Sequence, residues 1–400
     1  MTLRTATGRE LWPFAALSAS YFAFIGYLNP YLPLWLKDLG FGTLAIGTLV
    51  ALNSATRLFA PYAWGWLADH TGHRVRLTRI AASAALVVSL ALLATPRWIA
   101  PSFWFLAVVL FLLFTHSGAL MPMTEAAIAR LVSDARGVDV GRYGRLRAWG
   151  SIGFVVTVFA AGHAFDAFGI GLFGVGAVLL LALVTATCWW LPAGRDAAHD
   201  DAPAPPLWPV LAQPAVAWFF ASLFFMVLGH IALYTFFSLY LDAFGHSKRI
   251  VGALWALAVI VEIGWLLMQG RWMHAGNLRH WLVACCAVAV LRFAGTAAFG
   301  ASLAALVVLQ ALHALTFAAH HSVCVALISE RFPARLRARG QALFAVIGYG
   351  FPGVLGGVAG GALSERYGLG SVFWAASVSA VLATACALRA AQVLPRTTSS

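Results

Sequence analysis

The chain has 400 residues, of which 62% are hydrophobic and only 10% charged, with a mean hydropathy of +0.85. A soluble domain carries about 25% charged residues, so this chain has too little polar surface to face water, and a water-soluble fold is excluded. The formal net charge of +12 then speaks of membrane topology and anionic headgroups, not of nucleic acid.

A helical crossing needs about 20 apolar residues. Twelve such runs occur, at 13–36, 44–67, 77–94, 103–126, 148–165, 170–191, 216–241, 251–267, 282–299, 303–328, 342–363 and 372–388. Continuous runs of this length predict helices, since a barrel shows short alternating segments. The expected fold is an all-α integral membrane protein with twelve transmembrane helices. No cleavable leader is expected, because the first run is a full span. With the N-terminus in the cytoplasm, 19 of the 26 basic residues fall on cytoplasmic segments and 5 outside, with Arg57 and Arg292 embedded. That asymmetry predicts cytoplasmic termini, in a bacterial-type inner membrane. Cys188, Cys285, Cys286, Cys324 and Cys386 lie in apolar runs without the spacing of a disulfide framework or zinc site.

The first run is dense in aromatics, with Tyr27, Asn29, Pro30 and Pro33 toward its end. It reads either as an interfacial belt or as the lining of a solute cavity. In the second run Asn53 and Arg57 are spaced i,i+4 and share a face. An embedded arginine seldom faces lipid, so Arg57 is expected to meet a carboxylate or an anionic solute. The link Gly65–Arg74 fits a G-x-x-x-D-x-x-G-x-[RK] pattern. There Gly65 would allow close helix approach, Gly72 a tight turn, and Asp69 with Arg74 a breakable charge latch. Together with twelve spans, this loop looks like the signature of the major facilitator superfamily. The fourth run ends with Pro122-Met123-Thr124-Glu125, which offers a cavity-facing or merely interfacial carboxylate.

Before the fifth run, residues 145–150 (RLRAWG) match residues 335–340 (RLRARG) at five of six positions, 190 residues on. Both lead into glycine-rich runs, and both runs close alike, at Phe165–Gly169 and Ser364–Gly368. This predicts two related six-helix halves, residues 1–191 and 215–400, joined by a proline-rich linker at 192–214. In the second half the loop motif is eroded, with His274 where the aspartate would stand.

Three successive runs carry embedded polar groups: Glu262, Arg292, and then Gln310, His313, His320 and His321. Such groups are costly in a bilayer unless paired or used, which makes a proton-handling site the leading expectation. A carboxylate taken out of water holds its proton more tightly, and a guanidinium beside it loosens that hold. If Glu262 and Arg292 approach in one state and part in the other, proton affinity switches with access. Histidine, with an unperturbed pKa of about 6.5, suits a relay. By helical spacing His313 and His320 share a face and His321 is turned away.

Taken together, residues 31–40 (YLPLWLKDLG), Pro122–Ala126, residues 143–154 (YGRLRAWGSIGF), Glu262, Leu291-Arg292-Phe293 and His313 with His321 resemble one branch of the superfamily. It is the lactose permease, nucleoside and phenylpropionate group of proton symporters, in particular its phenylpropionate permease-like members. The resemblance implies two pseudo-symmetric six-helix halves working by alternating access, with proton coupling at Glu262, Arg292, His313 and His321. Glu125 would match an acidic substrate-side position, and Arg147 a motif position. Solute contact is expected at Arg57, Asn53, Glu125, Tyr27 and His320, and a conformational latch at Gly65, Asp69, Gly72 and Arg74. One departure stands out: where lactose permease has a carboxylate one turn past its span-10 histidine, Thr316 and Phe317 follow His313, and Cys324 and Val325 follow His321.

The expected function is proton-coupled uptake of a small organic solute. Arginines and aromatics favour an aromatic carboxylate; a sugar, a nucleoside, or export of a drug or metabolite are alternatives. An intramembrane enzyme with a histidine-bound metal, or a transporter-derived sensor, are remote ones. The chain is not expected to be an enzyme, to hold a metal or to need a cofactor beyond the proton gradient. Its expected partners are solute, protons and lipid, around a monomer. No G-x-x-x-x-G-K-[ST] loop supports ATP-driven transport.

Overall fold

The computed structural model describes residues 8–94, 102–134, 137–192 and 206–393. Residues 193–205 of the expected linker lie outside them. Each of the twelve apolar runs falls on one helical span long and apolar enough to cross a membrane. The first six are spans 1 (Leu11–Asp38), 2 (Thr43–Thr71), 3 (Arg74–Ala94), 4 (Phe103–Glu125), 5 (Arg142–Phe168) and 6 (Ile170–Trp190). The others are spans 7 (Pro214–Ala243), 8 (Lys248–Arg271), 9 (Leu278–Ala298), 10 (Leu303–Arg331), 11 (Arg339–Tyr367) and 12 (Leu369–Val393). Beside them stands a two-residue ladder, Ser133–Asp134 with Gly137–Val138. The chain is an all-α multi-pass membrane protein. Large apolar side chains such as Leu267, Trp104 and Val87 lie more than half exposed, as they must where the solvent is lipid.

The helices outrun the apolar runs because hydropathy does not stop a helix; backbone chemistry does. Span 5 ends at Gly169 (φ 84, ψ 155), span 11 at Gly368 (φ 83, ψ 161), and each glycine N–H caps the carbonyl four residues back. Only glycine adopts that conformation without strain. The two stretches paired in sequence therefore terminate their helices in the same way.

By packing, the chain divides into unit 1 (Met1–Phe41 and Ala55–Asp200) and unit 2 (Gly42–Ser54 and Asp201–Ser400). The first part of span 2 thus groups with the second unit, a division that sequence alone did not suggest. In unit 1, span 1 runs against spans 5 and 6. A Cβ on Gly153 would meet the Ala19 carbonyl carbon at 2.8 Å. Polar groups bond across this seam: Tyr31 Oη donates to Val158 O at 2.7 Å, and Ser20 and Thr187 share a 2.8 Å bond. In unit 2, span 12 packs on spans 7 and 9. Ser379 donates to Phe225 O (2.7 Å) and Ser222 to Ala383 O (3.0 Å). Small residues let helices approach where no hydrophobic drive separates protein from lipid; at Gly357 a Cβ would stand 2.7 Å from that of Ala51.

Unit 2 has a feature not seen among the described residues of unit 1. Spans 7, 10 and 11 each widen into a π-helical segment, at Ala232–Phe236, Ala314–Ala319 and Val346–Gly350. Such insertions gather at functional sites. All five cysteines are free and buried, as expected of small packing residues.

Candidate functional site

Span 9 carries Arg292 into the interior of unit 2, where it is 1% exposed. A buried guanidinium must find acceptors for its N–H groups, and span 10 supplies four. Nε donates to Leu309 O (3.0 Å), Nη1 to His313 Nδ1 (3.0 Å) and Thr316 Oγ1 (2.8 Å), and Nη2 to Gln310 Oε1 (2.6 Å). All four acceptors are neutral. Residues 309, 313 and 316 recur at i, i+4 and i+7, an ordinary helical face, with Gln310 beside it, and Thr316 alone of the four lies in the π segment.

Glu262, on span 8, does not meet Arg292 directly here. Its Oε2 lies 3.8 Å from His313 Nε2, so His313 stands between the acid and the cation in a three-member chain. The geometry also fixes a tautomer. A guanidinium only donates, so Nδ1 of His313 holds a lone pair and the ring hydrogen sits on Nε2, toward Glu262. Protonating Nδ1 would break the Arg292 bond, so a doubly protonated His313 and this seating of Arg292 exclude one another.

The remaining histidines of span 10 separate. His320 is buried, with its ring nitrogens 3.7 and 3.8 Å from Cys324 Sγ, whereas His321 is exposed, beside Phe344 and Phe317. Two residues that sequence reasoning passed over join the set from span 7. The rings of His230 and His313 are 6.3 Å apart, and Tyr234 stacks on Trp255. His230 carried the same signal as the others, an imidazole inside an apolar run.

Unit 1 holds a second, looser constellation. Arg147 Nε lies 3.5 Å from Glu125 Oε1, and its guanidinium carbon sits 4.1 Å over the Phe22 ring. Gly150, one turn on, makes that seat possible: a Cβ there would come within 2.6 Å of the Phe22 ring. Both partners are about 40% exposed. Tyr21 lies within Coulombic reach of Arg57, Glu125 and Arg147. Arg147, expected from the resemblance only as a motif position, is thus the partner of Glu125.

Other expected positions fall out differently. Arg57 is exposed, with no carboxylate in ion-pair contact among the described residues. Asn53 is half-buried and groups with unit 2, Arg57 with unit 1. Tyr27 is a packing residue here, not a cavity wall: it is 6% exposed, its ring stacks on Phe173, and its hydroxyl donates to Phe173 O at 3.0 Å. A phenol buried at a three-helix seam must bond a carbonyl. In the span 2–3 link, Arg74 Nη2 donates to Asp69 Oδ1 at 2.6 Å, and Gly72 takes φ +66 and caps Ala68 O. Gly65 corrects an expectation: a Cβ there would meet nothing within 4 Å, so no close approach depends on it here.

Comparison with known proteins agrees with this architecture. The profile of the MFS_1 like family matches residues 11–375. The probable 3-phenylpropionic acid transporter of Escherichia coli (strain K12) is 27% identical over 376 residues, covering 90% of this chain and 93% of that one. The maltose permease of Geobacillus stearothermophilus is 32% identical over 170 residues, 42% of this chain and 41% of its own length. Among solved structures, the nucleoside transporter NupG superposes with a TM-score of 0.75 at 18% identity, covering 95% of this chain and 98% of that one. The POT family transporter PepTSo gives 0.77 at 12% identity, over 97% and 99%. These two likenesses bear on the fold alone. Twelve spans, the glycine–aspartate link and a profile that matches nearly the whole length have one reading: the chain belongs to the MFS_1 like family of major facilitator transporters.

Proposed function

We propose that this transporter takes up a small organic acid by proton symport, through alternating access of two six-span halves, with both termini cytoplasmic in a bacterial-type inner membrane. The observation that carries the reading is the chain Glu262–His313–Arg292: a half-buried carboxylate, an imidazole of fixed tautomer and a guanidinium held by neutral acceptors only. Glu262 is the proton carrier, exchanging through His313. When Arg292 leaves Nδ1, His313 can take a second proton and pass one to Glu262. A monocarboxylate carried with one proton moves no net charge, so the pH gradient drives its accumulation; each further proton would add about 2.3 kcal/mol per 100 mV. The Asp69–Arg74 pair serves as a latch between access states.

Glu125, Arg147 and the exposed Arg57 form the solute side, where a guanidinium grips a carboxylate in bidentate fashion. The 27% identity to a probable 3-phenylpropionic acid transporter makes an aromatic carboxylate the first candidate. The 32% match to a maltose permease over 42% of the chain supports a sugar symporter as the second reading. The protein works as a monomer in contact with lipid and needs no cofactor but the proton gradient.

The test is solute-induced pH change with purified protein in proteoliposomes, offering 3-phenylpropionate, maltose and nucleosides, with Glu262→Gln alongside. One solute should alkalinise the outside, and the variant should lose that signal while still exchanging solute. Solute movement by the wild type without proton flux would overturn the coupling role of Glu262.

A further inference from the structure

Every nitrogen of the Arg292 guanidinium has a partner, but one buried nitrogen near it has none. His230, on span 7, is 2% exposed. Its Nδ1 lies 2.9 Å from Met226 O. A carbonyl only accepts, so Nδ1 carries the hydrogen and Nε2 is a bare lone pair. That Nε2 is buried with no hydrogen-bond partner, which is unfavourable if nothing fills the gap. His313 is the reverse case, with its lone pair on Nδ1 and its hydrogen on Nε2. Two imidazoles 6.3 Å apart are therefore held in opposite tautomers, one by a carbonyl and one by a guanidinium.

A small chamber of unit 2 lies against His230, lined also by Tyr234, Thr316, Phe317, His320 and Tyr349. All three π segments contribute to its wall. Its volume of about 10 Å³ is near that of a single water site. Thr316 Oγ1 accepts from Arg292 Nη1, which leaves its own hydrogen to donate.

We propose that this chamber holds one ordered water, which accepts from the Thr316 hydroxyl and donates to His230 Nε2, and that His230 is a second proton-accepting residue of unit 2, distinct from Glu262. When the chamber opens to solvent, a hydronium delivers its proton through this water. The water passes one hydrogen to Nε2 and takes one from the hydronium, so it is regenerated while His230 becomes an imidazolium with Nδ1–H still on Met226 O. The groups facing His230 are Arg292 from span 9, His313 and His320 from span 10, Tyr349 from span 11 and Tyr234 on its own helix; Glu262 of span 8 lies beyond His313. Arg292 is the only fixed cation among them, and it repels an imidazolium. A proton on His230 therefore favours the state in which Arg292 has left its seat. This gives the opening of unit 2 a pH dependence that Glu262 does not supply.

The use of this proton rests on the symport reading, but the tautomer and the water do not, and they are tested without any solute. Full-length protein labelled with ¹⁵N-histidine in lipid nanodiscs is examined by long-range imidazole ¹H–¹⁵N spectra. The His230 signals are those lost in His230→Asn, or in His230→Gln should the first variant not fold. The expected result is a neutral ring with protonated Nδ1 and bare Nε2 at high pH. Nε2 should gain a hydrogen on acidification, with a midpoint that moves in Thr316→Val. A hydrogen already on Nε2 at high pH, no titration before unfolding, or a midpoint indifferent to Thr316→Val would each overturn the proposal. Loss of proton-coupled transport with these spectra intact would instead refute the symport reading alone.

Discussion

Each unit of this transporter gathers an arginine, a glutamate and aromatic rings, yet they are built in opposite ways. In unit 1, Arg147 and Glu125 are about 40% exposed and 3.5 Å apart, resting on Phe22. In unit 2, Arg292 is 1% exposed and bonded to four neutral acceptors of one helix, with Glu262 kept one residue away by His313. A cation that still touches water keeps its hydration, so its protein partners can be few and replaceable, which suits a group that must exchange protein contacts for a solute. A cation out of water must be saturated by the fold itself, so each of its neighbours is fixed, down to the tautomer of a histidine. The π segments occur only beside the second kind of site among the described residues.

The largest effect separating the two should follow removal of the guanidinium in unit 2. Arg292→Met orphans Gln310, His313, Thr316 and a carbonyl, and should lower stability by about 3–5 kcal/mol, read as thermal unfolding in detergent. Arg292→Lys keeps the charge but offers three donors in place of a fork, and should fall between. If Arg292→Met unfolds like the wild type, the four bonds are not a network and the contrast between the units disappears.

Backbone packing should not distinguish them. Gly153→Val in unit 1 and Gly357→Val in unit 2 each press a side chain into a neighbour within 2.8 Å, at about 1–3 kcal/mol apiece. Gly65→Ala enters open space and should be neutral or stabilising by up to ~1 kcal/mol. Should Gly65→Ala abolish transport while leaving stability intact, the close approach expected there belongs to another access state.

The smallest change in stability is expected at the exposed pair. Glu125→Gln should shift unfolding by no more than ~1 kcal/mol while raising the KM for uptake and leaving the fold intact. A large loss of stability would mean that Arg147 and Glu125 are a structural strut, and that solute contact must be sought elsewhere, Arg57 first.

By itself, the sequence determined the twelve crossings, the Asp69–Arg74 link, the matched helix ends at Gly169 and Gly368, and the presence of an acid, a guanidinium and histidines on three successive spans. These are local properties: hydropathy sums along the chain, a turn needs its glycine, and a polar group in an apolar run is visible wherever it faces. Which of those groups meet was decided by tertiary structure alone. Span 10 turns His313 toward Arg292, brings Thr316 and His320 to the chamber and leaves His321 exposed. That outcome depends on how far the helix has rotated at each residue, and the π segment at Ala314–Ala319 changes the count with no mark in the apolar pattern. Tyr27 and His230 teach the same lesson from opposite sides. Each is a polar ring in an apolar span; one is consumed by a carbonyl across a helix seam, and the other keeps a bare nitrogen because no neighbour happened to reach it.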